Sequence, residues 1–403
     1  MRKSGPIEGF PSETVKEGKV QVLVPRLSAF RERPSDYAPS KAPVFYNPVM
    51  ELNRDLAVLV TRVYQKQVDR EISVCEPLTS SGIRGVRLAT EVSNVRVTIG
   101  DINEHAFKLA KQNVALNMLE DRVTVHHKDA NCLLSCHSAP RRRFDIIDVD
   151  PFGSPVRYID SAVRALRNKG VLALTATDLA PLCGVHVKAC LRKYGGKPLR
   201  TEYCHELAIR LLVGCLAATS ARQDIGIGVL FGHSTDHYIR VYAEAAYGAK
   251  RADESVKNLG FVWHCFNCLH RETAKNAFNP EKCPECGERM DYAGPLWLGN
   301  IGDSSFCESL KKENMRVAFR NSVRMDTLLS MAGYESEAPA WHYVVDEFSS
   351  KLKIPEPSLS TIIKMLHDCG FEAGPTHFNS RGFRTNASAL EIQELFRKTA
   401  KAA

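Results

Sequence analysis

Residues 72–85 read Ile72-Ser73-Val74-Cys75-Glu76, then, past a short gap, Thr79-Ser80-Ser81-Gly82-Ile83-Arg84-Gly85. A short β-branched run that ends on an acid and gives way to a Gly-containing turn reads as strand, loop, helix start. The pattern then repeats. Val95 to Ile99 is a second strand ending at Gly100-Asp101, with a helix to about Asn117; Val123 to His126 is a third, ending near Asp129-Ala130. Phe144 to Val149 is a fourth, running into Asp150-Pro151-Phe152-Gly153, and after a helix at 156–167 a fifth spans Val171 to Thr175. Strands separated by helices imply an α/β fold with a doubly wound, mostly parallel sheet, whose ligands lie at the carboxyl ends of the strands. Every strand end just named falls on that edge.

N-terminal to this core, the first 45 residues are rich in Pro, Ser, Gly and charge, with one strand expected from Lys19 to Val24. Phe45-Tyr46-Asn47-Pro48 precedes an amphipathic helix over 48 to about 66, with Asn47 as cap and Pro48 in its first turn. C-terminal to the core, a helix from Glu202 to about Ser220 precedes two antiparallel strands, Ile225 to Phe231 and Tyr238 to Ala245. Lys250 to Lys257 reads as a charged connector. The expected division is therefore a catalytic domain over 1–247 and an α+β C-terminal domain over 248–403. In the latter, helices near 304–313, 320–332, 343–352 and 359–368 precede a hairpin at 371–385. That layout over 335–390 fits a winged helix or a plain helical packing domain.

The chain has 403 residues, 44% of them apolar, enough for two or three cores. It shows no unbroken apolar stretch of about 18 residues and no secretory leader, so a soluble cytoplasmic protein without a membrane span is expected. Thirteen cysteines, odd in number and mostly scattered, fit a reducing compartment better than a disulfide framework. The net charge of +8 is modest, but it gathers in clusters: Arg141-Arg142-Arg143, then Lys188, Arg192, Lys193, Lys197 and Arg200, then Lys250-Arg251, with Arg381 and Arg384 near the end. Together they favour an anionic partner, although each alone is also a plausible solvated face.

At the cofactor edge the loop lacks G-x-G-x-x-G, so a pyrophosphate cradle is not supported. S-adenosylmethionine carries no phosphate and has a carboxylate, which Arg84 in the loop and Arg54 on the preceding helix are suited to bind. Asp101 matches a pair of ribose hydroxyls and Asp129 an adenine amine; Asp101 as a mere helix cap, and Arg54 as an exposed helix residue, are the competing readings. Asp150 carries the chemistry. Its carboxylate, an acceptor only, matches the adjacent N1–H and N2 amine of guanine and would repel the N1 lone pair of adenine. Phe152, and Phe45 before the helix, are candidates to sandwich the ring, with Pro151 beside them. Asp148 either tunes Asp150 or is a structural acid, and the second reading is favoured.

Cys265-x2-Cys268-x14-Cys283-x2-Cys286 offers four thiolates for tetrahedral zinc, closed to substrate and therefore structural; disulfides are the alternative. His264 and His270 flank the first pair and read as bystanders.

These residues resemble the tRNA guanine-26 N2-dimethyltransferases over nearly the whole chain. The matching segments are Phe45-Tyr46-Asn47-Pro48-Val49-Met50-Glu51-Leu52-Asn53-Arg54-Asp55, Ser81-Gly82-Ile83-Arg84-Gly85 and Asp148-Val149-Asp150-Pro151-Phe152-Gly153-Ser154-Pro155, with Gly294-Pro295-Leu296-Trp297-Leu298-Gly299 and Thr376-His377-Phe378-Asn379 near the C-terminus. The resemblance implies a class I methyltransferase domain, S-adenosylmethionine as donor, and tRNA as substrate, methylated once or twice at guanine N2. It assigns Arg54, Arg84, Asp101, Asp129 and Ala130 to the cofactor, Asp150 to catalysis, and Phe45 and Phe152 to the guanine pocket. The cysteine quartet is present in only some members, and the length of the chain suits an archaeal-type member. A monomer without an obligate protein partner is expected. Methylation of another tRNA guanine, at position 10 or 27, a non-catalytic RNA-binding protein, and DNA amine methylation are the competing functions.

Overall fold

The computed structural model describes residues 9–31, 33, 38–276 and 282–402. Residues 277–281 of the expected zinc segment lie outside them. The chain forms two compact units: one holds residues up to Asp150 with 160–173 and 309–326, the other 151–159, 174–308 and 327 onward.

Seven strands make the main sheet: β1 Ile72–Glu76, β2 Val95–Asp101, β3 Val123–His127, β4 Phe144–Val149, β5 Leu166–Ala176, β6 Ile225–Thr235 and β7 Tyr238–Tyr247. Their order is β3-β2-β1-β4-β5-β7-β6. The pairs β1/β2, β1/β4 and β2/β3 are parallel, and β6/β7 is an antiparallel hairpin. The order reverses between β1 and β4, which places a ligand crevice at the carboxyl ends of those two strands. Burial explains the strand composition: Val74, Cys75, Ile147 and Val149 are fully enclosed, so β1 and β4 read as continuous apolar runs.

Helix starts follow local chemistry. Asn47 Oδ1 accepts from the Val49 amide at 3.0 Å with Pro48 next. The first turn, Pro48–Met50, is 3-10, and the α-helix runs Glu51–Val68, where Asp69 turns left-handed and ends it. Helix Ile83–Glu91 starts after Gly82, whose φ is +78°; a Cβ there would sit 2.9 Å from that of Ala110, so only glycine fits. Asn103 caps Glu104–Leu116, and Asp129 caps Ala130–Ser135.

The N-terminal strand was expected alone, but it pairs as a hairpin, Ser12–Glu17 with Val20–Pro25. Buried Asn113 ties that hairpin to the cofactor-side loop: it accepts from Leu23 N at 2.6 Å and donates to Leu23 O at 2.9 Å and Ser81 O at 2.8 Å. β5 begins at Leu166, earlier than the expected Val171, and its first residues are held by Arg167, which donates to buried Asp145 at 2.9 Å.

In the second unit, the supposed connector at 250–257 is a helix, Ala249–Val256, built from good helix formers of mixed charge. Ser255 Oγ anchors it, accepting from the Ile227 amide at 2.8 Å. Among the described residues, helix Cys204–Ala221 is long and apolar enough to cross a membrane, at a mean hydropathy of 1.3, yet 67% of it is packed inside the protein. Its buried Glu206 accepts from Arg210 and Arg384 at 2.9 Å each. Burial would raise that carboxyl, but Arg384 and Arg210 outweigh burial and hold it well below the usual range.

Strand Leu259–His264 pairs antiparallel with Arg271–Ala274 and Asp291–Trp297. Towards the C-terminus, helices Val345–Leu352 and Leu359–Asp368 precede the hairpin Ala373–Thr376 and Asn379–Thr385, close to the expected spans. A further helix, Ala389–Ala402, completes their core around Phe348, Ile362, Phe383 and Phe396.

Candidate functional site

Arg84 is the centre of the first unit's site. It lies in the first turn of helix Ile83–Glu91, only 5% exposed, and meets three carboxylates. Its Nε donates to Glu76 at 3.1 Å, Nη1 to Asp148 at 3.2 Å and to Asn53 at 2.8 Å, and Nη2 to Asp150. Each acid comes from a strand end, Glu76 closing β1 and Asp148 and Asp150 straddling the end of β4. One guanidinium cannot offset three buried negative charges. Burial, the largest cause, pushes the Glu76 carboxyl up to about 7; Arg84 and a 2.6 Å hydrogen bond from Thr79 oppose it, while Asp148 and Asp150 add to it. Asp150 is the most open of the three, its side chain 16% exposed against 4% for Asp148.

Asp101 closes β2 and accepts from two backbone amides, Ser80 at 2.8 Å and Asn103 at 2.9 Å. The Ser80 hydroxyl donates to the Phe45 carbonyl at 2.6 Å, so Phe45, the loop and Asp101 are joined. Asp129 gives Oδ1 to the amides of Asn131 and Cys132, and Ala130 beside it is buried. Arg54 is elsewhere engaged. Its Nε and Nη2 each donate to Glu17 at 2.6 Å, and Glu17 also takes Arg87 at 3.0 Å. Arg87 in turn pairs with Asp55 at 2.7 Å and Glu91 at 2.8 Å.

Pro151, Phe152 and Gly153 open the second unit. Phe152 is 74% exposed. Gly153, at φ +75°, is clasped by Thr177: its amide donates to Thr177 Oγ1 at 2.8 Å and its carbonyl accepts from the Thr177 amide at 3.0 Å. Asp178, next along, accepts from the Tyr194 hydroxyl at 2.6 Å and from Lys193 at 2.8 Å. Of the basic clusters, Arg384 is buried against Glu206 and Glu335, Lys197 pairs with Asp291, and Arg381 with Asp346 and Glu356. Lys188, Arg192 and Arg200 are exposed.

The four cysteines Cys265, Cys268, Cys283 and Cys286 also belong to this unit, with every sulfur within 4.8 Å of the others. The Cys265–Cys286 and Cys268–Cys283 sulfurs are 3.5 Å apart. Four thiolates about 2.3 Å from a tetrahedral zinc stand about 3.8 Å from one another, so the quartet fits the ion with small adjustment. Backbone turns preform both knuckles: Cys265 N donates to His270 O at 2.9 Å and Cys283 N to Glu288 O at 2.7 Å. Neither His264 nor His270 joins the four donors.

Two participants escaped the sequence reading. Glu76 was legible only as a strand-end acid on the ligand edge, and Glu17 carried no local signal.

Residues 18–397 match the family described as N2,N2-dimethylguanosine tRNA methyltransferase. A tRNA (guanine(26)-N(2))-dimethyltransferase of Methanobrevibacter smithii is 41% identical over 97% of this chain and 98% of its own. An Aquifex aeolicus relative, described as acting on guanine 26 and guanine 27, is 35% identical over 95% of each. Among solved structures, the complex of Trm1 from Pyrococcus horikoshii with S-adenosyl-L-methionine superposes with a TM-score of 0.83 at 34% identity, over 95% of this chain and 99% of that one. The chain therefore belongs to the N2,N2-dimethylguanosine tRNA methyltransferase family.

Proposed function

We propose that this chain methylates the exocyclic N2 of guanine 26 in tRNA, once and then again, with S-adenosylmethionine as donor. The observation that carries the reading is the Asp150 carboxylate at the end of β4, held by Arg84 and partly open to solvent. The donor supplies a methyl group on a sulfonium. Asp101 keeps acceptor capacity beyond its two amide bonds and suits a vicinal diol; Asp129 spends one oxygen on its helix and keeps the other for an amine, and Ala130 is assigned beside it. Arg84 and Arg54 are the groups assigned to the donor's carboxylate, a contact that each would share with Asp150 and Glu17 respectively.

Asp150 accepts from guanine N1–H and N2–H, which aligns the amine lone pair on the methyl carbon. As the N–C bond forms, the methyl–sulfur bond breaks, and the proton leaving N2 passes to Asp150 and then to water. Phe152, and by assignment Phe45 and Pro151, hold the ring plane. The quartet would hold one structural zinc ion. We infer a monomer, since one chain carries the whole assigned residue set, and a cytoplasmic location, since the substrate of the family is tRNA.

The test is nucleoside mass spectrometry with position mapping after reaction with unmodified tRNA. N2-methylated and N2,N2-dimethylated guanosine at position 26 is the expected product; methyl on adenine or cytosine would overturn the reading. The Aquifex relative's description favours guanine 27 as a second target, and the same map reads it.

A further inference from the structure

Outside the quartet, a second group of soft donors converges within the second unit. The thiols of Cys183 and Cys204 and the imidazole of His205 bring their ligand atoms within 4.8 Å of one another. Cys183 ends the short helix Leu179–Leu182, while Cys204 and His205 begin helix Cys204–Ala221, so two separate segments meet there. All three side chains are half-buried, which leaves the group reachable from solvent.

We propose that Cys183, Cys204 and His205 form a second metal site, which takes a divalent ion of the zinc class on two thiolates and one imidazole, with a solvent molecule as fourth ligand. Sulfur and nitrogen donors without a carboxylate select zinc or cobalt over magnesium or calcium. Binding forms two metal–sulfur bonds and one metal–nitrogen bond and sends both thiol protons to water. The divalent charge is then met by two thiolates and the site is neutral. Three protein ligands distinguish it from the quartet, which is closed by four.

The position gives the ion a consequence. The chain reaches Cys183 from Thr177, which clasps Gly153, and from Asp178, which holds Tyr194. An ion at Cys183 would tie that segment to the start of helix Cys204–Ala221 and steady the backbone just after Asp150. The metal assignment stands apart from the methyl-transfer reading; only an effect on turnover rests on it.

The test strips the full chain with a chelator under reducing conditions, reloads it with Co²⁺ and measures cobalt content and the thiolate charge-transfer absorption. About two equivalents per chain are expected in the wild type, and about one in Cys204→Ser and in Cys183→Ser, with the remaining spectrum that of a four-thiolate site. Cys268→Ser should keep the second, weaker-thiolate spectrum. One equivalent in the wild type, or two retained in Cys204→Ser, overturns the proposal, as does recovery of a Cys183–Cys204 disulfide peptide from the reloaded protein. Wild-type stoichiometry decides alone if the variants do not fold.

Discussion

Arg84 donates to the carboxylate of Asp150 across 66 residues of sequence, and the same guanidinium holds Asp148 and Glu76. Arg84 thus fixes the direction of the group we assign as proton acceptor. Lysine would keep a point charge but lose the fork that reaches several acids at once. Arg84→Lys should lower kcat about 10- to 100-fold while the KM for tRNA stays within about twofold, because what is lost is the aim of Asp150 and part of the grip on the donor's carboxylate, which raises the KM for the donor instead. Asp150→Asn, which keeps an acceptor oxygen but takes no proton, should lose about 10²- to 10³-fold. Single-turnover kinetics separate the two, and full activity in either variant contradicts the assignment.

Glu76 gives the site a pH signature. Burial among like charges raises its carboxyl to about 7, above the ordinary value near 4.5. Between those values the folded chain holds a proton that the unfolded chain has released. Its contribution to stability is therefore complete below the ordinary value and fades as pH rises toward 7. From pH 5 to pH 8 the wild type should lose more melting temperature than Glu76→Gln. Parallel pH slopes for the two proteins would remove Glu76 as the cause.

The cysteine quartet predicts a stability effect separable from chemistry. Trp263, Met290 and the cysteine side chains pack as one small buried cluster at the end of strand Leu259–His264, where a metal ion would add cross-links to a core of few residues. Cys268→Ser should release zinc and lower Tm by about 5–10 °C, the shift that a loss of roughly 2–3 kcal/mol produces in a domain of this size. Hydrogen exchange should rise first in residues 259–274. A zinc-free variant with unchanged Tm would assign the metal no structural role.

What could be read from residue order alone follows the range of the interactions. Strand ends at Glu76, Asp101 and Asp150 were visible because short apolar runs, β-branching and turn residues act over a few neighbours. The four-cysteine motif was visible for the same reason, since each pair is two residues apart. Arg54 with Glu17, or Cys183 with Cys204, is a contact between distant segments with no motif to announce it. Helix Ala249–Val256 was misread because its charges look like a linker until Ser255 is seen anchored to Ile227.

Glu17 carries the clearest stability prediction. It is 3% exposed and is the shared partner of two guanidiniums, Arg54 and Arg87. Arg87 keeps Asp55 and Glu91 when Glu17 is removed, whereas Arg54 keeps, among the described residues, the Asn47 carbonyl at 3.2 Å and the nearby Tyr46 ring. A buried cation left without its carboxylate costs about 3–5 kcal/mol, whereas replacing both partners by apolar groups is often neutral. Glu17→Leu should therefore lower the urea midpoint strongly, and Glu17→Leu with Arg54→Met should recover most of the loss. Because Arg54 is also assigned to the donor's carboxylate, the double variant reads that role too: restored stability with weakened donor binding supports both functions for Arg54. A double variant no more stable than Glu17→Leu would mean that the hairpin Ser12–Glu17, rather than the ion pair, depends on Glu17.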